Sequence, residues 1–373
     1  MKIVVAPDSF KGSLTQVEAA SIIKKAVMEA NPSHQVIMKP MADGGEGTVD
    51  ALLNASSKSE RITIQVTGPL GDNVTTSMGI VNNDMAIIEV ASISGLTMVP
   101  KEKRDPYQTT TYGIGEAILI ALNRGLRKFV IGLGGSATND GGFGMLQALG
   151  AQFMNKDGIT VGKFGRDLLD MERVDFSSID PRIAHCDIQI ASDVDNPLCG
   201  ENGASNIFGP QKGATSKQVE LLDQALMKYS QFIQEEISQS LASTPGAGAA
   251  GGLGFGFLVL GGRIVSGAKL IGETIELKQA ISNADLVITG EGKSDKQTLF
   301  GKAPGQVAEI AKKCNIPIWL VSGSVSDETL LRSIFSIVHS TMDKGQTVEQ
   351  AMKDAEMLLY KKIKYLLGVN TNG

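Results

Sequence analysis

Five stretches of this sequence combine an acid or amide, a hydroxyl and glycine just past an apolar run. They are APDSFKGS (6–13), ADGGEGT (42–48), GLGGSATNDGG (132–142), ASDVDNPLCG (191–200) and TGEGKSD (289–295). Backbone N–H groups freed at such turns, and at the helix starts that follow them, form nests for anions. Lys11, Lys212, Lys293 and Lys302 each stand beside a glycine, and Asp8, Asp43, Glu46, Asp140, Asp193, Asp195, Glu291 and Asp295 supply acids. Phosphoryl transfer asks for this set: a glycine-rich cradle, lysines on phosphate oxygens, carboxylates for Mg²⁺ and a base near the acceptor hydroxyl. Any one stretch alone is equally a tight turn with a cap; five in one chain carry the polyanion reading.

Roles follow from residue type. Asp193, Lys11 and Asp43 are the candidate catalytic groups. Asp193 in SDVDNP follows the expected strand Ile188–Ala191, where a carboxylate can take a hydroxyl proton or hold a metal. Asp8, Ser9, Glu291 and Lys293, with Gly134, Gly135, Ser136, Asn139, Asp140 and Lys212, are candidate contacts to substrate or phosphate. Asp295 and Asp195 are candidate carboxylates for Mg²⁺.

Two other nucleotide-binding patterns fit less well. Gly132-x-Gly134-x-x-Ala137 matches a dinucleotide fingerprint after a strand, but no ribose-binding acid ends a following parallel strand. Asp157 in MNKDG reads as a hairpin turn, and Gly246-x-Gly248-x-x-Gly251 follows a helix and a proline. A P-loop ending in Gly292-Lys293-Ser294 would need glycine at 287, which is valine. The protein-kinase signatures are absent.

Net charge is −5, and no like-charge block exceeds three residues, which argues against nucleic acid or an anionic membrane as partner. No apolar run reaches the roughly 18 residues of a membrane span. The opening MKIVVAPDS goes straight into a strand without a signal pattern. Cys186, Cys199 and Cys314 lack C-x-x-C spacing and suit a reducing cytosol, so a cytoplasmic location is expected. His34, His185 and His339 are far apart in sequence, which disfavours a histidine-based metal site or triad.

These residues need elements to position them. Lys2–Ala6 and Gln35–Lys39 read as strands, with helices from the Thr15-x-x-Glu18 capping box to about Ala30 and over Glu46–Asn54. Arg61–Thr67, Val74–Val81 and Met85–Ile93 read as an antiparallel meander that enters another domain. Parallel strands return at Asp285–Thr289, Ile316–Ser322 and Phe335–His339. Helices are expected over Pro304–Cys314, over Ser326–Ser333 and from Thr347 to about Leu366. The fold class is therefore α/β: a flavodoxin-like doubly wound parallel sheet of order 2-1-3-4-5 over 1–60 and 281–373. A mixed α/β domain over 61–280 is inserted into it, with a long helix Lys217–Leu241 followed by the small-residue run PGAGAAGG.

The chain resembles the bacterial glycerate kinases of the type-1 family nearly end to end. The blocks that carry this are APDSFKGSL, PMADGGEGT, GLGGSATNDGG, SDVDNPLCG, FGPQKGA, PGAGAAGGLG and TGEGKSDKQT, in that order. The resemblance implies ATP-dependent phosphorylation of D-glycerate with Mg²⁺, in the cleft between two α/β domains. It leaves open whether the 2- or the 3-hydroxyl is phosphorylated. From the residues alone, a nicotinamide-dependent oxidoreductase acting on a hydroxy acid and a non-catalytic nucleotide-binding module are the alternatives.

Overall fold

The computed structural model describes residues 1–45, 47–55, 58–299, 302–343 and 345–370. Glu46 therefore lies outside the described residues. The chain divides into two compact units, Met1–Asp43 with Asp50–Ala55 and Ser266–Gly373, and Gly44–Val49 with Ser56–Val265. Measured against the expected 1–60 and 281–373, the helices Gly267–Thr274 and Leu277–Ser282 lie in the first unit. Buried Ile271, Leu277 and Ile281 give these helices an apolar face, and both helices pack on the helix Ala303–Lys313.

The first unit is built on five parallel strands. Their spatial order is Gln35–Met38, Lys2–Val5, Leu286–Thr289, Ile318–Ser322, Ile337–Ser340, which in chain order is 2-1-3-4-5. Ile3 stands opposite Leu286, Val287 opposite Ile318 and Trp319 opposite Ile337. The three inner strands are continuous apolar runs, as a sheet covered on both faces requires. The helix Gln16–Ala30 starts at the Thr15–Glu18 capping box and packs on Ala355–Asn370. Ile23, Val27, Leu359 and Ile363 are fully buried in that layer, each worth about 1.5–3 kcal/mol of apolar transfer. The last helix, expected unbroken from Thr347, is two: Val348–Lys353 and Ala355–Asn370, with Asp354 as the C-cap of the first.

The second unit holds a six-stranded mixed sheet. Its order is Arg263–Val265, Asp187–Ala191, Lys128–Gly132, Met85–Glu89, Asn73–Val81, Ser59–Thr67. The last three pair antiparallel, as the meander predicts, and the remaining pairs are parallel. The third meander strand stops at Glu89 rather than Ile93. There the Val90 amide bonds the Gly132 carbonyl, and Val90–Ser94 turns into the short helix Ala91–Ser94. The long helix runs over Ser216–Ile237 from a Thr215–Gln218 capping box and stops at left-handed Ser238, short of Leu241. Tyr229 on that helix joins Phe143, Phe153 and Phe255 in an aromatic core with ring centroids 4.6–6.3 Å apart.

Candidate active site

Asp8 and Glu291 sit just beyond the carboxyl ends of two adjacent parallel strands, Lys2–Val5 and Leu286–Thr289. In a 2-1-3-4-5 sheet this is the point where the strand order reverses, and ligands bind outside the strands there. The Asp8 amide donates to the Gly290 carbonyl at 2.8 Å, which ties the two loops together. Above them opens a cavity of about 450 Å³, lined by Asp8, Ser9, Lys11, Asp43, Glu291, Lys293, Asp295 and Lys302. Every first-unit residue expected at the site is thereby brought to one place.

The electrostatics of this cavity are uneven. Asp8 is 6% exposed, and burial, with the negative charge of Asp43 next, pushes its carboxyl up to about 7. The Ser9 amide, which donates to Asp8 Oδ1 at 2.6 Å, and Lys11 oppose that rise. Lys11 is 79% exposed along its side chain and reaches Asp43 Oδ2 at 3.5 Å; Asp43 holds the lysine's pKa above its ordinary value. Glu291 Oε1 accepts from the Thr298 hydroxyl at 2.7 Å and the Ser294 hydroxyl at 3.1 Å, and Oε2 lies 3.6 Å from Lys302 Nζ. One wall is thus a fixed, satisfied carboxylate with a lysine on it; the other carries an acid that is hard to ionise.

The residues expected from the glycine-rich stretch lie in the second unit and are mostly interior. Asn139 and Asp140 are fully buried, Lys212 is 2% exposed and Ser136 5%. Asp140 Oδ2 accepts from the Thr111 amide at 2.9 Å and its hydroxyl at 2.8 Å, and Oδ1 from the Gly142 amide at 3.2 Å. Burial raises its pKa against those donors. Lys212 Nζ donates to the Thr138 carbonyl at 2.6 Å and the Ser136 hydroxyl at 2.9 Å, and burial lowers its pKa to about 7. Asn139 donates to the Ser205 hydroxyl at 2.7 Å. These side chains brace the stretch from beneath; Gly135, exposed and left-handed at φ 75, is its outward point.

The stretch also departs from the dinucleotide pattern. No helix opens until Phe143, whereas the fingerprint needs one beginning within its glycines. Asp193 and Asp195 are exposed in the segment that follows the strand Asp187–Ala191. Of the two candidate carboxylates for Mg²⁺, Asp295 lines the first-unit cavity and Asp195 belongs to the second unit.

Sequence reading missed Ser294, Thr298 and Ser322. Ser322 Oγ lies 2.8 Å from Ser294 Oγ and so extends the network that fixes Glu291. An S/T residue three after an acid is a local signal for the first, and for Ser322 there was none, since it ends a buried strand. Met342, Val348, Ala351 and Met352 also line the cavity. Nothing distinguished them from ordinary helix and loop residues.

Residues 3–369 match the family model described as the glycerate kinase family. The chain is 45% identical to the glycerate 2-kinase of Escherichia coli K12, over 95% of this chain and 94% of that protein. It is 42% identical to the glycerate kinase of Halalkalibacterium halodurans, over 96% of this chain and 95% of that one. A crystal structure from Salmonella typhimurium LT2, assigned as glycerate kinase 2, superposes with a TM-score of 0.89 at 40% identity. It covers 100% of this chain and 99% of its own.

Proposed function

This chain belongs to the glycerate kinase family, and on that premise we propose that it transfers the γ-phosphoryl group of ATP to a hydroxyl of D-glycerate. The products are ADP and 2- or 3-phosphoglycerate. The observation that carries the reading is the placement of Asp8, Lys11, Asp43, Glu291 and Lys302 around one cavity at the switch point of the parallel sheet.

In the transfer, a glycerate hydroxyl oxygen bonds to the γ-phosphorus while the bond from that phosphorus to the bridging oxygen breaks, and ADP leaves with the electron pair. The hydroxyl proton goes to a carboxylate. Asp8 is suited to take it: it faces the cavity, and a pKa near 7 lets a base be ionised yet still attract a proton. Asp193, from the second unit, is the other candidate for that role. Lys11 and Lys302 supply positive charge to the phosphate oxygens, where charge-assisted contacts are about twice as strong as neutral ones.

Asp43 and Asp295 offer hard carboxylate oxygens to the same cavity. That suits Mg²⁺, which usually takes one or two carboxylates together with substrate phosphates. Asp295 would hold it, and the ion, when bound, neutralises charge on the β- and γ-phosphates.

The test is a coupled assay of ADP release with D-glycerate, with and without Mg²⁺, with the product isomer read by phosphorus NMR. Release that requires both D-glycerate and Mg²⁺ is expected. ADP release indifferent to D-glycerate, or glycerate-dependent reduction of a nicotinamide cofactor, would reject the reading.

A further inference from the structure

The cavity has two unlike sides. One is the floor of acids and lysines already described. The other is apolar, made by Met342 beyond the last strand and by Val348, Ala351 and Met352 on the helix Val348–Lys353. Val348 is 63% exposed and Met352 39%, yet both line the cavity. They stand four residues apart, one above the other on a single helix face with Ala351 between, and buried Ala355, the first residue of the next helix, also lines the cavity. Val348 and Met352, with Met342 and Ala351, make an apolar patch open on one side of a charged pocket, a feature that marks ligand-binding grooves.

We propose that this apolar side seats the purine base of the phosphoryl donor, so that the helix Val348–Lys353 is the element that recognises the nucleoside. The assignment rests on the kinase reading above. Of the two substrates, glycerate is a three-carbon polyhydroxy acid with no apolar face. Only the nucleotide carries both a flat apolar ring and a polyanion, matching a pocket with methionines on one side and lysines on the other. Thioethers are polarisable and adaptable, and sulfur against an aromatic ring is a favourable contact.

One contact ties the two sides together. A Cβ built on Gly12 would lie 2.6 Å from Met352 Cε, so the thioether end lies over the turn that carries Lys11. Gly12 is left-handed, φ 82, and its missing side chain leaves the methyl group its place. The methionine is thus held next to the lysine that meets phosphate, at the junction between base and polyphosphate.

The experiment uses the full-length protein with Val348→Ser/Met352→Ser, which strips the apolar side without adding charge, and Ala351→Phe, which fills it. Fluorescence titration with etheno-ATP reads binding whether or not turnover occurs, and tripolyphosphate, which has phosphates but no base, is the control. Both variants should weaken etheno-ATP about tenfold. Tripolyphosphate binding and the KM for D-glycerate should stay within about twofold, well below one tenfold step of binding energy. Unchanged etheno-ATP affinity, a parallel loss for tripolyphosphate, or a rise confined to the glycerate KM would each overturn the assignment. A wild-type protein that binds etheno-ATP but releases no ADP with glycerate would reject the kinase reading and leave the base site standing.

Discussion

The Gly134 amide donates to the Gly44 carbonyl at 3.3 Å, so two glycine-rich stretches far apart in sequence meet backbone to backbone. A Cβ on Gly134 would fall 2.5 Å from Gly45 Cα, and one on Gly132 2.6 Å from the Gly44 oxygen. The small-residue run meets the same stretch from elsewhere: a Cβ on Gly251 would lie 1.9 Å from the Thr138 oxygen. What comes close to these glycines is therefore main chain. At exposed Gly135 no backbone is in the way: the nearest atom to a Cβ there would be a side-chain one, Ala91 Cβ at 3.2 Å.

Gly134→Ala should accordingly act on folding. Its Cβ has backbone rather than a movable side chain in its way, so a loss of about 1–3 kcal/mol of stability is expected, typical of overpacking. Thermal unfolding measures it. A variant as stable as wild type that has lost ATP affinity would instead put the ligand at Gly134.

The contrast shows what was legible in the sequence. Strands and helices of the first unit were readable because uninterrupted apolar runs and capping boxes are local signals, and the order 2-1-3-4-5 is the economical doubly wound arrangement of five such strands. Asp8, Lys11, Asp43, Glu291 and Lys293 were readable as a set because each follows a strand. The glycines of 132–142 were not assignable, since a close approach to backbone and one to phosphate leave the same residue type. Nor was the burial of Lys212, because nothing local distinguishes a lysine whose amine turns inward. The apolar side of the cavity was invisible: Val348 and Met352 sit at ordinary helical spacing.

Lys212 makes a prediction about pH. Its pKa falls from 10.5 unfolded to about 7 folded, because burial disfavours the ammonium. Between those values the unfolded chain binds more protons, so this group's contribution to stability rises as pH climbs from about 7 towards 10.5. Lys212→Met abolishes that slope and, by leaving the Thr138 carbonyl without its 2.6 Å donor, costs about 1–3 kcal/mol. Urea unfolding across that range compares the two proteins. Parallel pH dependences would show that the buried amine does not titrate there.

Lys11→Gln separates binding from folding in the opposite sense. Its side chain is 79% exposed, and an ion pair that open contributes roughly 0–1 kcal/mol, so Tm should hardly move. Loss of a charge-assisted contact to phosphate costs about 1.5–3 kcal/mol, so kcat/KM for ATP should drop about ten- to a hundredfold. Arginine at this position should rescue only partly, since the ammonium is a compact point charge that a guanidinium does not copy. Unchanged steady-state constants in both variants would make Lys11 a solvated surface residue.

Asp8→Asn and Asp193→Asn decide which carboxylate takes the hydroxyl proton. Loss of base catalysis typically costs about 10²–10⁴-fold in rate, and the amide keeps the size of the acid. If Asp8 is the base, its variant shows that loss and wild-type kcat/KM falls as pH drops below about 7, where the carboxyl protonates. Stability must then move the other way. A carboxyl raised from 3.8 to about 7 binds its proton more tightly in the folded state, so its contribution is complete below pH 3.8 and lost as pH rises through 7. Asp8→Asn, which never has to bury a charge, should therefore be more stable than wild type at pH 8 while nearly inactive. Asp193 is exposed in the segment after the strand Asp187–Ala191, so its variant removes no buried carboxyl and should not show the gain in stability at pH 8 expected of Asp8→Asn. Measuring pH–rate and pH–stability profiles on both variants tests the pairing. A rate loss confined to Asp193→Asn assigns the base to the second unit, and a rate loss at Asp8 without a gain in stability at pH 8 means its carboxylate is not strained by burial.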